Sequence, residues 1–147
     1  MMPRTDPDPE QTLQRPASRP SVAPMDTYPP SWASLSHPWA RRELILKFQE
    51  LATPDPRPLW AAKRREGLVV GANQVVHFLF NDNDFGEPSI GAMLRSADEV
   101  AVIDAVKREL DLVIDGLPSD GPDDDYVTHP RWPYVTAAAL TARNAIT

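Results

Sequence analysis

The residues best able to do chemistry lie where the most apolar segment of the chain ends. His77 lies within the apolar segment at residues 75–80, and a polar run at residues 81–87 follows it. A histidine beside Asp82 and Asp84 could act as a general base or as a metal ligand. One hypothesis is therefore a small metal-dependent hydrolase centred on His77, Asp82 and Asp84.

The spacing of these polar residues matches neither a calcium nor a zinc site. A calcium loop of the EF-hand type needs oxygen ligands at its first, third and fifth positions, glycine at the sixth and glutamate at the twelfth. A loop that starts at Asn81 has Phe85 fifth and Ala92 twelfth, and a loop that starts at Asp82 has Glu87 sixth. The three histidines are far apart in sequence, so no typical zinc site is predicted.

Other common catalytic motifs are absent from the sequence. The chain has no cysteine, which excludes a thiol nucleophile and a thiolate zinc site. No serine lies in a G-x-S-x-G turn, and the six glycines stand singly rather than in a phosphate-binding loop. The sequence therefore favours a protein without catalytic function, and it assigns no catalytic residue, metal ligand or cofactor.

Acidic charge is the most informative chemical feature of the chain. The formal net charge is −6, and residues 80–125 contain thirteen acidic and three basic side chains, a local net charge of −10. Such a field attracts a basic protein and repels nucleic acid. The predicted partner-binding residues are those of the two acidic segments: Asp82, Asp84, Glu87, Asp123, Asp124 and Asp125.

One basic run, Lys63-Arg64-Arg65, interrupts this pattern. Nucleic-acid affinity depends largely on neutralised phosphates, and three adjacent cations in an acidic protein supply few of them. The run is therefore interpreted mainly as the solvated face of a helix. A weaker hypothesis is that it contacts a DNA-bound protein.

The folded domain that positions these residues is predicted to begin after a proline-rich leader. Eight of the 17 prolines lie in residues 1–36, among polar residues and few apolar ones. Such a stretch buries too little apolar surface to offset its ordering entropy, so residues 1–36 are predicted to be disordered. A single folded domain is predicted over residues 37–147.

Helical periodicity dominates this domain. Apolar residues at a 3.6-residue period predict helices over residues 38–52 and 58–66, with Gly67 as a left-handed C-cap. Ser96 and Glu99 have the spacing of a capping box that opens a third helix, which ends near Gly116. A final helix is predicted to start at Thr128.

The segment at residues 68–80 is ambiguous. Its β-branched valines favour a strand, whereas Asn73 is a good N-cap for a buried helix. We predict helix, and hence an all-α bundle of four to five helices. The alternative is an α+β fold in which residues 68–80 form a strand.

No membrane association is predicted. The sequence contains no apolar run that approaches the roughly 18 residues of a membrane-spanning helix. Its first residues do not have the basic and then apolar order of a secretory signal. A cytoplasmic location is therefore expected.

A succession of core and turn residues resembles a family of short, mostly uncharacterised bacterial proteins, many of them actinobacterial. The residues are VVHFLFND at 75–82, Ile90-Gly91 with Leu94, Glu99, Asp125-Tyr126, and Pro130-Arg131-Trp132 with Val135. Some similar small acidic proteins are labelled immunity proteins of contact-dependent toxin systems. The resemblance covers roughly residues 40–145 and implies a helix through residues 75–80 and a binding role. It supplies no active site.

These observations lead to one preferred hypothesis. We expect a non-catalytic protein-interaction module, with an immunity- or antitoxin-like protein as one form of it. Its acidic surface would bind a basic partner such as a cognate toxin. The metal-dependent hydrolase is the alternative.

Overall fold

The computed structural model of the protein describes residues 28–82, 85–118 and 120–147. Within these residues every regular element is helical, and the only strand-like contact there is an isolated bridge between Ile90 and Leu94. The predicted all-α class is therefore confirmed. The alternative prediction of a strand within residues 68–80 is wrong.

The chain divides into two units, Met1–Ser34 and Leu35–Thr147. The structure describes residues 28–34 of the first unit, which contain a 3-10 helix at Pro30–Trp32. The rings of Tyr28 and Trp32 stack there with centroids 5.8 Å apart. Residues 1–27 of the predicted leader lie outside the described residues.

The described part of the second unit contains six α-helices. They are α1 (Pro38–Ala52), α2 (Arg57–Arg65), α3 (Ala72–Val76), α4 (Ala97–Ile114), α5 (Asp123–Val127) and α6 (Trp132–Ile146). A π-helix at His77–Asp82 continues α3, and a 3-10 helix lies at Glu87–Ser89. None of the helices in the described part of the chain is long and apolar enough to cross a membrane.

The predicted helix boundaries agree best with the observed ones where apolar periodicity and a strong end signal coincide. Helix α1 has the predicted bounds, with Pro38 in its first turn. Helix α2 ends in the predicted left-handed glycine, since Gly67 has φ +89°. The amides of Gly67 and Leu68 donate to the carbonyls of Arg64 and Lys63, which is the Schellman pattern.

Two predicted helix starts are wrong. The helix predicted from Asn73 begins at Ala72, because Gly71 occupies the N-cap position and the Asn73 side chain is used elsewhere. The helix predicted from Thr128 begins at Trp132 instead. Thr128 belongs to the end of α5, where its hydroxyl donates to the carbonyl of Asp124.

Helix α6 packs against both α1 and α4. This is possible because small residues on α6, Ala139 and Ala142, are fully buried and permit close approach. Large apolar side chains fill the space around them. The fully buried ones on the three helices are Leu44, Phe48 and Leu51 of α1, Ile103, Val106, Leu110 and Val113 of α4, and Val135 and Ile146 of α6.

A buried ion pair between Arg41 and Glu99 lies inside this core. The terminal nitrogens of Arg41 donate to the two carboxylate oxygens of Glu99, each at 2.8 Å. The same guanidinium donates to the backbone carbonyls of Met93 at 3.0 Å and Ile146 at 2.6 Å. Bidentate pairing of this kind is the strongest geometry for an arginine and a carboxylate. It joins α1, the segment before α4, the start of α4 and the end of α6.

The predicted capping box of α4 does not form. Ser96 is the N-cap residue, but its side chain makes no capping hydrogen bond. The carboxylate of Glu99 accepts from the backbone N–H of Arg95 at 2.7 Å and from Arg41. A buried guanidinium, 58 positions away in sequence, is a stronger partner for this carboxylate than the amide of Ser96.

We expect Arg41→Met to lower the free energy of unfolding by about 3–5 kcal/mol, because it leaves Glu99 buried without its main partner. Urea denaturation at pH 7 measures this loss. Arg65→Met is the matched control, since Arg65 is exposed, and it should change stability by about 0.5 kcal/mol or less. Equal losses in the two variants would contradict the role of the pair.

The contribution of Glu99 should depend on pH. Burial by itself raises the pKa of Glu99, but hydrogen bonds from Arg41 and Arg95 outweigh it and bring the pKa below its ordinary value of 4.5. The stabilisation is therefore complete above pH 4.5 and is lost as the pH falls through the lower folded-state pKa. The stability difference between the wild type and Glu99→Gln, measured by urea denaturation, should shrink in that acid range. A difference independent of pH would contradict this.

Candidate functional site

The residues that the sequence assigns to partner binding lie in two places. Asp82 ends the π-helix and Glu87 starts the following 3-10 helix; both are exposed, and neither pairs with a cation among the described residues. Asp84 lies outside the described residues. The other three predicted residues, Asp123, Asp124 and Asp125, form the first turn of α5.

Asp123 joins three helices. Its Oδ1 accepts from the backbone N–H of Ala72, the first residue of α3, at 3.0 Å. Its carboxylate also pairs with Arg64 of α2. Arg64 in turn donates from Nε to the carbonyl of Val70 at 3.1 Å, which fixes the loop between α2 and α3. Asp123 is therefore a structural residue whose charge is neutralised by Arg64.

The other two acidic residues of α5 have different surroundings. Asp124 accepts from Arg57 at 2.9 Å, and Arg57 also donates to Asp55. Hydrogen bonds to Asp55 and Asp124 raise the pKa of Arg57, and Arg57 lowers the pKa of Asp55. Asp125 is half-buried and pairs with no cation among the described residues. Arg57 is shared between Asp55 and Asp124 and does not neutralise both, and Asp125 adds a further negative charge to this turn.

The basic run that could have contacted a DNA-bound protein is mostly used within the fold. Lys63 lies 3.3 Å from Glu50, which also accepts from the indole nitrogen of Trp60 at 2.9 Å. Arg64 is bound to α5 as described above. Arg65 is exposed and has no ion pair with the described residues. These contacts favour a structural role for the first two cations.

Three carboxylates that the sequence analysis did not assign to a site lie on the outer side of α4. Asp104, Asp111 and Asp115 are exposed, and none pairs with a cation in the part of the chain that the structure describes. Their spacing of seven and four residues places them along one side of the helix, away from its core residues. Arg108 lies on the same side without pairing to them. We call the three carboxylates the acidic face. A search for acidic residues at helical spacing could have identified them from the sequence.

A cleft of about 240 Å³ lies at the C-terminal end of α4. We call it the His77 cleft. Its polar lining comes from α3, the π-helix, α5 and the loop before α5, and its apolar lining includes residues at the end of α4. The lining residues are Asn73, Val76, His77, Asn81, Ile114, Leu117, Pro118, Asp120 and Tyr126.

Both ring nitrogens of His77 have partners. Asn81 Nδ2 donates to His77 Nδ1 at 2.7 Å, and His77 Nε2 lies 3.4 Å from Asp120 Oδ1. Because Nδ1 accepts, Nε2 carries the ring hydrogen and directs it to the carboxylate. Neither nitrogen then offers a free lone pair to a substrate, as a general base must. The carboxylate that faces His77 is Asp120 rather than the predicted Asp82.

Tyr126 lines the cleft and lies near several acidic residues. Its hydroxyl donates to Asn73 Oδ1 at 2.6 Å. Burial raises the pKa of Tyr126, and the charges of Asp120, Asp123 and Asp125 raise it further. Negative charges raise the pKa of a phenol because they oppose the formation of another anion.

No group of three or more histidine, cysteine, aspartate or glutamate side chains that could hold a metal ion occurs within residues 28–82, 85–118 and 120–147. Of the three residues of the hydrolase hypothesis, Asp84 lies outside these ranges. His77 and Asp82 both lie on the π-helix, but His77 bonds to Asn81 and Asp120. The hydrolase therefore stays an untested prediction without a structural observation in its favour.

The chain matches the model of a known family. A family model described as "Domain of unknown function (DUF7945)" matches residues 35–147, a range that coincides with the second structural unit. No curated protein and no solved structure matches the chain. The expectation of an uncharacterised family is thereby confirmed.

Gly71→Ala should disrupt the contact between Arg64 and Asp123 and lower the free energy of unfolding. Gly71 has φ +140°, and a Cβ there would lie 2.5 Å from Arg64 Nη2 and 2.9 Å from Asp123 Oδ1. The control is Gly116→Ala, where φ is +86° but a Cβ meets open space, so that only about 1–2 kcal/mol of backbone cost applies. Urea denaturation should show a clearly larger loss for Gly71→Ala, and equal losses would contradict the close packing at this position.

Proposed function

The chain belongs to the DUF7945 family, and on that premise we propose that its second unit is a non-catalytic module that binds a basic protein through surface carboxylates. The specific form that we propose is an immunity protein or antitoxin, with a cognate toxin as partner. The cytoplasm is the location that this role implies. Neither nucleic acid nor a membrane is required as a partner.

The observation that carries the proposal is the acidic face. Asp111 and Asp115 are like charges four residues apart on one helix, an arrangement that costs about 0.2–0.5 kcal/mol. Asp115 is also the C-cap residue of α4, where the helix dipole disfavours negative charge by a similar amount. Charges placed where local physics opposes them are expected at functional positions.

A basic partner would relieve this repulsion. Arg108 lies beside the three carboxylates of the acidic face, and one cation does not offset three negative charges. Positive charge on a partner would steer its association with the acidic face. The attraction, and with it the affinity, would increase as the salt concentration falls. A toxin that acts on nucleic acid carries positive charge for the phosphate backbone, and a row of carboxylates complements such a surface.

The surroundings of His77 support the non-catalytic part of the proposal. His77 is the histidine of the hydrolase hypothesis, and both of its ring nitrogens are engaged. A hydrolase would need an available base or a bound metal ion with an open coordination position. The described residues offer the interaction module more support than the hydrolase.

The test is a calorimetric titration of the protein with purified products of the neighbouring genes, at low and at high salt. The triple variant Asp104→Asn, Asp111→Asn, Asp115→Asn should bind the cognate partner about tenfold more weakly at low salt and should lose most of the salt dependence. It should be more stable than the wild type by about 0.3–1 kcal/mol, because like-charge repulsion is removed.

The matched control removes the same number of charges from other exposed positions. Glu43→Gln, Glu66→Gln and Asp98→Asn lie on α1, at the end of α2 and at the start of α4. This control should retain the affinity and its salt dependence. A partner that binds the acidic-face variant and the wild type equally, or whose binding is indifferent to salt, would overturn the proposal.

A further inference from the structure

The His77 cleft combines apolar and anionic surfaces within a small volume. Val76, Ile114, Leu117 and Pro118 supply apolar surface, and Asp120 supplies a carboxylate. A lysine or arginine side chain has the complementary composition, an aliphatic stem that ends in a cation. This match goes beyond the diffuse attraction of an acidic face, because it involves shape as well as charge.

We propose that the His77 cleft binds the side chain of a lysine or arginine residue of the basic partner, with the stem against the apolar lining and the cationic group on Asp120. The inference rests on the proposed function, to which it adds a specific anchor. Binding energy at protein interfaces is concentrated in a few such side chains that fill pockets, and arginine is frequent among them.

The size of the cleft favours a side chain over a cofactor. Its volume of about 240 Å³ lies below the roughly 300–1,000 Å³ of most small-molecule sites. Its openness to solvent also agrees with an occupant that enters from a partner's surface: the side chains of His77 and Asp120 are 47% and 73% exposed.

The electrostatics of the cleft select a cation. Asp120 faces His77 at a long distance of 3.4 Å, so an incoming ammonium or guanidinium group can take over the carboxylate. Asp125, which pairs with no cation among the described residues, adds negative charge nearby: burial raises the pKa of Tyr126, and Asp120, Asp123 and Asp125 raise it further. An anionic ligand would meet repulsion from the same groups.

The amide side chains of Asn81 and Asn73 also contribute to the cleft. Asn81 uses its Nδ2 on His77, which leaves its carbonyl oxygen as an acceptor for a donor from the partner. Asn73 Oδ1 accepts a hydrogen bond from the Tyr126 hydroxyl, and Asn73 Nδ2 donates to the backbone carbonyl of Gly121, next to Asp120. The backbone next to Asp120 is thus fixed by a side-chain hydrogen bond.

The π-helix His77–Asp82 contributes two of the polar lining residues, His77 and Asn81. It follows directly on α3, and the two side chains bond to each other across four residues. π-Helical turns are rare and occur frequently at functional sites. The cleft, its charge and this backbone feature therefore coincide.

The experiment uses single-residue probes and the full chain. ¹H–¹⁵N NMR spectra are recorded during titration with the N-acetyl methylamides of lysine, arginine and norleucine. Saturable shifts of the side-chain amides of Asn73 and Asn81 with lysine or arginine, and none with the neutral norleucine probe, are expected. The two cationic probes distinguish an ammonium from a guanidinium preference. Equal shifts with norleucine, or no saturation with either cation, would overturn the proposal.

Two variants assign the binding to Asp120. Asp120→Asn should weaken the probe's affinity about tenfold, the loss expected for one charge-assisted hydrogen bond. Because Asp120 is exposed, this variant should keep the wild-type NMR spectrum outside the cleft. Asp98→Asn, an exposed acid at the other end of α4, should bind the probe as the wild type does. Equal effects of the two variants would count against the cleft.

Titration with the intact partner separates this proposal from the proposed function. Weaker partner binding by Asp120→Asn supports the cleft as an anchor. Unchanged partner binding by Asp120→Asn, together with a loss in the acidic-face triple variant, overturns the cleft and leaves the interaction module standing. Binding of the cationic probe without any salt-dependent basic partner overturns the interaction module and leaves the cleft as a cation site.

Discussion

The rest of the fold depends on one buried guanidinium. Arg41 gives its hydrogen bonds to Glu99 and to the carbonyls of Met93 and Ile146, so that four segments distant in sequence share one cation. A fully buried arginine is tolerated only when its charge and its donors are matched, and here the carboxylate matches the charge. The apolar faces of α1, α4 and α6 create the space for this pair, and the pair fixes how the helices meet.

A second charged contact joins another set of helices in the same unit. Arg64 and Asp123 connect the end of α2, the start of α3 and the start of α5, and Gly71 leaves room for them. This contact positions α3 and α5 beside each other, and with them the two residues, Asn73 and Tyr126, that bond across the His77 cleft. Some acidic residues of this protein therefore build the fold, whereas others remain on its surface without a partner.

The sequence predicts the parts of this fold that depend on local pattern. The apolar period of α1 and α4 and the left-handed Gly67 are local features, and they were predicted at or near their observed positions. The partner of Glu99 lies 58 residues away, and that of Asp123 lies 59 residues away, so spacing rules could assign them only to local caps or solvent. The π-helix was unpredictable for a related reason, since its residues also suit an ordinary helix or a strand. For the candidate site, the sequence predicted that the charge would be negative but did not predict the cleft. The residues that line the cleft come from separate segments that meet only in the folded chain.

The order of the helices has a consequence for synthesis on the ribosome. Helix α6 packs against both α1 and α4, yet it is translated after them. While residues 132–146 are still inside the exit tunnel, the apolar faces of the earlier helices have no surface to cover them, and Arg41 lacks one of its acceptors. The contacts of α6 with α1 and α4 must therefore form late, after residues 132–146 have left the tunnel. During that interval the nascent chain presents the kind of exposed apolar surface that chaperones bind.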